Sequence, residues 1–440
     1  MPVRTSFASP AAPTLRQPGT RRHLRRGAEA VEPQRRSGRE VRDQPARPAQ
    51  ALTPPGLPVV RKAPPPMPEP HKPTTLHLAA ALSAPGAPRP YTAADWTRRV
   101  RLAEDGALDF VTLTDAFGER GPDALQALTV TAPATARVGL VPAVTTTHTE
   151  PFHLQAAVAT LDWVSGGRAG WLPAVSTTEA EARLFGRRPV APAAALWHEA
   201  AEVAEAAGRL WDSWEDDAEI RDLATGRFVD RDKLHYADYT GRTFSVRGPS
   251  IVPRPPQGRP VVVADTASPH ARDLAARHAD VALIHAQGPA AARAAREELL
   301  DRAGAAGRDP GTLRVLAALT VDLGGGEYAA VPSHGGGGPR AGGAGSPAVY
   351  RGGPVDLAEL VTAWHDTGAV DGFHFVPADP DRDLERLING TVALLQHRGR
   401  FRTFYPGATL RDHLGLARPA SRYAAARGAD RSATTQGEPA

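Results

Sequence analysis

Residues 163–187, WVSGGRAGWLPAVSTTEAEARLFGR, decide how the rest of the chain is read. Arg168 stands among Gly166, Gly167 and Gly170 at a helix-to-strand junction, and the strand that follows carries Trp171 and runs into a polar loop. An apolar strand between a helix and a polar loop is one unit of a repeated strand–helix barrel. The loop after the strand is where such a barrel presents a binding surface.

The same unit recurs on both sides. Short apolar runs predict strands at Leu76–Leu82, Phe110–Thr114, Val138–Val144, Arg168–Leu172, Pro260–Ala264, Val281–Ala286, Leu313–Leu323 and Gly372–Val376. Helical patterns alternate with them. Thr92 caps an amphipathic segment through Trp96, Val100 and Leu102 to Gly106. Further helices are predicted over 122–135, with Pro122 in the first turn, and over 151–165, 269–278, 289–306, 355–367 and 382–398. A long one over 193–211 is expected to bury Leu196, Trp197, Val203, Leu210 and Trp211. Trp163 and Trp171 also fall at core spacing.

Two stretches break the alternation. Residues 212–259 are turn-rich, with a hairpin predicted around Tyr239–Gly241, while 324–353 is nearly all Gly, Ser, Pro and Ala and reads as a mobile loop. Residues 399–423 are expected to wrap the outside. Eight strands and eight helices make the fold class α/β, a (β/α)8 TIM barrel with long insertions after strands 4 and 7. A doubly wound sheet is the runner-up. It would put a Gly-rich phosphate turn after the first strand, which LSAPGAPRP (82–90) does not supply.

Of the 440 residues, the first 73 hold 14 Lys and Arg against five acids. That is +9 of a whole-chain +4, so 74–440 carries −5 and gives no reason to expect nucleic-acid or membrane partners. The stretch 1–73 is rich in Pro, Arg and Ala without hydrophobic period and is expected to be a disordered basic tail. It is either a genuine tail or the mark of a start codon set upstream of Met67. A barrel over 74–423 and a disordered C-terminal tail over 424–440 complete the division. No cysteine occurs, which excludes disulfides and a thiol nucleophile. No apolar run approaches the roughly 18 residues that span a bilayer, and the start lacks a secretory core, so a cytoplasmic protein is expected.

Chemistry in a barrel sits just past the strand C-termini. There the sequence offers Asp115 and Phe117, then Thr145, Thr146, Thr147 and His148, then Ser176, Asp265, Ala267, Ser268 and His285. Hydroxyls and a carboxylate among aromatic groups suit a planar cofactor with polar edges. No metal-ligand spacing appears. His148 is either a solvated loop histidine or a hydrogen-bond donor to a cofactor, and Asp115 either caps the following turn or fixes a ring edge. His235 and Tyr236 are surface packing or substrate contacts.

Several segments are similar to one family in the right order. They are TTTHTEPFH (145–153), LWDSWEDDA (210–218), PQGRPVVV (256–263), DGFHFVP (371–377) and RGRFRTFYPGATLRDHLGL (398–416), with GRTFSVRGP (241–249) inside the block 233–280. Together they resemble the flavin-dependent monooxygenases of the bacterial luciferase-like superfamily, in the branch of nitrilotriacetate and dibenzothiophene-sulfone monooxygenases. The resemblance implies reduced FMN taken from a separate flavin reductase, O2, a small organic substrate and a homodimer or homotetramer. It puts His148 at a catalytic tyrosine position and assigns Asp115, Thr145, Thr146, Trp197, Ala267 and Ser268 to the cofactor.

Departures lie at the flavin contacts. Leu172 and Pro173 stand where the family has Asn after GRAGW, and Leu196–Trp197 replaces its Arg-Tyr pair, with Ala193 at a polar position upstream. Ala264–Ser268 (ADTAS) replaces Gln-Ala-Gly-Ser-Ser. Weak flavin binding is therefore expected, with Ser268 and the N–H groups of a helix opening at Pro269 left for the phosphate. A deazaflavin oxidoreductase and a barrel with a degraded flavin site acting as a binding protein are the alternatives.

Overall fold

The computed structural model describes residues 75–84, 86, 89–324 and 347–424. The expectations for the N-terminal tail and Met67, for most of the 324–353 stretch and for the tail from 425 onward lie outside those residues. In chain order the barrel units are β1 (His77–Ala81), α1 (Ala93–Asp105), β2 (Phe110–Leu113), α2 (Ala124–Thr131), β3 (Gly139–Thr145), α3 (Pro151–Ser165) and β4 (Gly170–Ala174). Then come α4 (Ala193–Asp212), β5 (Val261–Asp265), α5 (Ala271–His278), β6 (Val281–Ile284), α6 (Pro289–Ala305), β7 (Arg314–Asp322), α7 (Pro354–Asp366), β8 (Gly372–Pro377) and α8 (Pro380–Arg386). All eight expected strands are present, with ends that differ by about two residues at most.

Each strand pairs in parallel with the next, and β8 pairs back onto β1, with Phe373 opposite Leu78, so the sheet closes. Gly372 makes that closure possible. A Cβ there would lie 1.8 Å from the His77 carbonyl oxygen. Because parallel strands are covered on both faces, their sequences are apolar almost throughout. One side chain in two points inward, giving an interior of Ala79, Phe110, Val141, Leu172, Val263, Leu283 and Leu316. The other set packs against the helices. Leu410, on a short helix Leu410–His413, reaches the starts of β3 and β4 and closes the N-terminal end.

Charged residues stitch that closed end. Asp109 accepts from His77 and Arg402, and Arg411 pairs with Asp280, so the 398–416 segment is held by buried ion pairs. Arg168 reaches five acceptors, on Ser165, Thr135 twice, Val138 and Ala132. The arginine of GRAGW is thus a clamp between α3, β4 and the turn before β3.

Some local expectations are corrected. Helix α2 opens at Ala124 because Asp123 is its N-cap, accepting from the Gln126 N–H. It ends at Thr131 in a 3-10 turn where Pro133 has no N–H to give. The 382–398 helix is interrupted by a π-helical turn, Leu387–Val392, where Gly390 packs against Pro354. The stretch read as loop through 353 ends in a strand, Ala348–Arg351, parallel to the end of β7 with Ala348 opposite Leu319. Tyr350 is buried there and its hydroxyl donates to the Gly353 carbonyl, which gives the segment an anchor. After β4 the insertion forms a short helix, Glu179–Phe185, and two antiparallel hairpins, the second pairing Tyr239–Thr240 with Ser245–Val246 as expected. Trp171 and Trp211 are buried, whereas Trp197 is half-buried and Trp163 is 49% exposed.

Candidate active site at the barrel mouth

The loops after β2, β3 and β4 meet at the C-terminal end of the barrel. In the β3 loop the Thr146 hydroxyl donates to the Ala174 carbonyl and the Thr147 hydroxyl accepts from the Ser176 N–H, so two threonines tie β3 to β4. Thr145 is buried at the end of β3. His148 follows with φ 68°, in the left-handed region that is uncommon for a non-glycine residue. Its ring lies parallel to Phe185 at 4.7 Å, and Phe185 meets Phe117 edge-on at 4.6 Å. Its Nδ1 is buried without a hydrogen-bond partner. Burial, with the Arg188 charge, holds the imidazole below its usual range and hence neutral at pH 7.

Phe185 escaped the sequence reading because it reaches the mouth on the short helix after β4. Thr178 caps that helix, and the Glu181 carboxylate accepts from both the Ser176 and Thr178 hydroxyls. Gly186, left-handed at φ 63°, ends it one residue after Phe185. A capping signal at TTEAE was visible in the sequence and would have found the helix.

Asp115 does cap the next helix. Its Oδ2 accepts from the Ala124 N–H at 2.8 Å, and burial raises its pKa above the ordinary value. His235 packs on the outside, stacked on Tyr423 and bonded to Glu215.

Deeper in the mouth the inward positions turn polar. Thr112 bonds His374 Nε2 at 2.8 Å, and His285 Nε2 bonds Asp265 Oδ1 at 2.7 Å, with the Ala267 N–H donating to the same oxygen at 2.8 Å. Complete burial drives His374 down to about 4. Burial raises the Asp265 pKa, but the His285 hydrogen bond and charge more than offset it, and the carboxylate stays ionised. Thr112 and His374 were missed as site residues, although strand alternation marks both as inward-facing.

Trp197 lies elsewhere. With His198, Tyr239, Pro269 and His270 it lines a groove of about 1040 Å³ along α4 and α5. The loop leading to that groove holds fewer free donors than expected. Helix α5 opens at Ala271, not Pro269, with His270 as an N-cap that makes no side-chain bond. The Ala271 and Arg272 N–H groups are taken by the Ser268 and Pro269 carbonyls, and Pro269 has no N–H. The Thr266 hydroxyl donates to Leu283. Asp265 turns inward to His285. Among the described residues there is no cluster of His, Asp or Glu able to hold a metal ion, and no helix is long and apolar enough to cross a membrane.

Residues 74–332 match the family model described as luciferase-like monooxygenase. The chain is 32% identical over 417 residues to nitrilotriacetate monooxygenase component A of Aminobacter aminovorans, covering 75% of this chain and 92% of that protein. It is 31% identical over 383 residues to dibenzothiophene-sulfone monooxygenase of Rhodococcus erythropolis, covering 72% and 84%. A riboflavin lyase solved with modified FMN and riboflavin superposes with a TM-score of 0.66 at 21% identity, covering 79% of this chain and 97% of that one. At that identity the likeness speaks for the fold alone.

Proposed function

The chain belongs to the luciferase-like monooxygenase family, in the branch of the nitrilotriacetate and dibenzothiophene-sulfone enzymes, and from that premise we propose that it oxygenates a small organic substrate with reduced FMN and O2. The observation that carries this reading is His148. Its strained backbone, its stacking on Phe185 and its orphaned buried Nδ1 are features that a loop histidine would shed unless a ligand used them. They fit the flat face and polar edge of a flavin ring. Bound flavin supplies the two-electron and oxygen chemistry; the protein excludes water and orients the ring. Phe117, His148 and Phe185 form an aromatic wall, Thr145 and His148 offer hydrogen bonds to the ring edge, and Asp115 holds the β2 loop beside them.

The phosphate end fits less well. Trp197 and Ala267 bring no hydroxyl, the Ala267 N–H is committed to Asp265, and Ser268 is the side chain left to bind an anion. FMN is therefore held weakly, as suits a cofactor that arrives reduced from a separate flavin reductase and leaves oxidised. A homodimer or homotetramer in the cytoplasm goes with this reading. Titration of the purified protein with reduced and oxidised FMN tests it. We expect flavin fluorescence to be quenched in wild type and much less in His148→Ala; no quenching in either would overturn the assignment.

A further inference from the structure

Asp265 ends β5, and His285 is the first residue after the neighbouring β6. Leu283 is registered opposite Asp265, and His285, two residues further on, bonds the Asp265 carboxylate and faces His374 of β8. Leu283 and Val263, two residues before Asp265, are both inward. The pair thus occupies the top of an apolar interior, at the end of the barrel that carries chemistry. The carboxylate is fixed from two sides, by His285 Nε2 and by the Ala267 N–H.

A purely structural role explains little. β5 and β6 are already joined by their ladder, and a half-covered ion pair adds only about 0–1 kcal/mol. His374 of β8 also faces the pair; it is neutral at pH 7 and hydrogen-bonded to Thr112.

We infer that Asp265 and His285 form a proton-transfer pair for the reaction at the mouth, His285 giving the proton and Asp265 acting as its positioning residue. This rests on the flavin reading above. The net hydroxylation takes reduced flavin anion, O2, R–H and one proton to oxidised flavin, R–OH and water. Without substrate, reduced flavin anion, O2 and one proton give oxidised flavin and hydrogen peroxide. Either way one proton is consumed per turnover. The His285 imidazolium supplies it, is left neutral, and recovers a proton from water while Asp265 keeps the Nε2 edge fixed.

Two measurements on the full chain test the pair. Histidine-ring NMR, with the His285 signal identified by its loss in His285→Gln, should show that signal moving when oxidised FMN is added. In stopped flow, reoxidation of protein-bound reduced FMN by O2 at neutral pH should slow at least about tenfold in His285→Gln, with the FMN dissociation constant and melting temperature little changed. Asp265→Asn should keep part of the rate but move the falling limb of its pH profile to lower pH. A His285 signal indifferent to FMN while fluorescence reports binding, or a wild-type rate and profile in His285→Gln, would overturn the proposal and leave the flavin reading standing. Absence of FMN binding in wild type would overturn both.

Discussion

His148 costs the fold something where it stands. A non-glycine residue at φ 68° gives up on the order of 1–2 kcal/mol relative to its ordinary conformations, and a loop keeps such a residue when the side chain is needed. His148→Gly removes the strain and the ring together. We predict a melting temperature close to wild type and FMN binding weakened at least fivefold; a variant that binds FMN normally would return His148 to an ordinary loop role. Asp115 separates into two functions by a similar argument. Its Oδ2 caps α2, so Asp115→Ala should lose about 1 kcal/mol of stability, whereas Asp115→Asn restores the acceptor and recovers it in denaturant melts. If the carboxylate charge also serves the flavin, both variants bind FMN more weakly, and the Asn variant shows this with stability intact.

At the scale of elements, the strand–helix units were legible because each strand is a short run apolar on both faces, bounded by a helix with its own cap. Thr92, predicted as the cap of α1, accepts from the Asp95 N–H. What local pattern did not reveal was paired at a distance. Ala348–Arg351 gains its strand geometry from the end of β7, and the opening of α5 is set by Ser268 and Pro269 carbonyls that capture the first N–H groups. Arg168 is the element-scale case with the largest expected effect. It is buried with all its bonds directed at backbone carbonyls and one hydroxyl, a forked geometry that lysine cannot reproduce. Arg168→Lys should cost about 2–4 kcal/mol in chemical denaturation, mainly from carbonyls left unsatisfied. The loop 264–268, proposed to face the FMN phosphate, offers the opposite experiment. Trp197→Tyr combined with Ala267→Ser returns two hydroxyls and should tighten FMN at least tenfold; an unchanged dissociation constant would show that the groove between α4 and α5 does not receive the phosphate.

At the scale of the whole molecule, the candidate site draws on residues from β2, β3, β5, β6 and β8, the loops that follow them and the loop helix before α4, and for that reason only part of it could be read in advance. His148 and Asp265 stand at or just past strand ends, where barrel geometry alone directs attention; alternation marks His374 as inward and TTEAE marks the helix that carries Phe185, but only the tertiary fold shows that either reaches the site. The same assembly buries two groups whose titrations oppose each other. His374 falls to about 4 from an ordinary value near 6.5, so the unfolded chain binds its proton more readily. Its contribution to stability is complete above about pH 6.5 and is lost as pH falls toward 4. Asp162 moves the other way, raised to about 6 by burial against hydrogen bonds from Gln257 and Ala169, so the folded chain holds its proton more readily. Its contribution is complete below about 3.8 and is lost as pH rises through 6. Each shift is worth on the order of 3 kcal/mol, and the two windows nearly coincide, so these contributions cancel over much of pH 4–6. Single variants expose the hidden slopes. In Asp162→Asn stability should climb with pH across this window, and in His374→Gln it should decline, each against a flatter wild-type profile of melting temperature. Parallel profiles for all three proteins would show that neither group changes its proton affinity on folding.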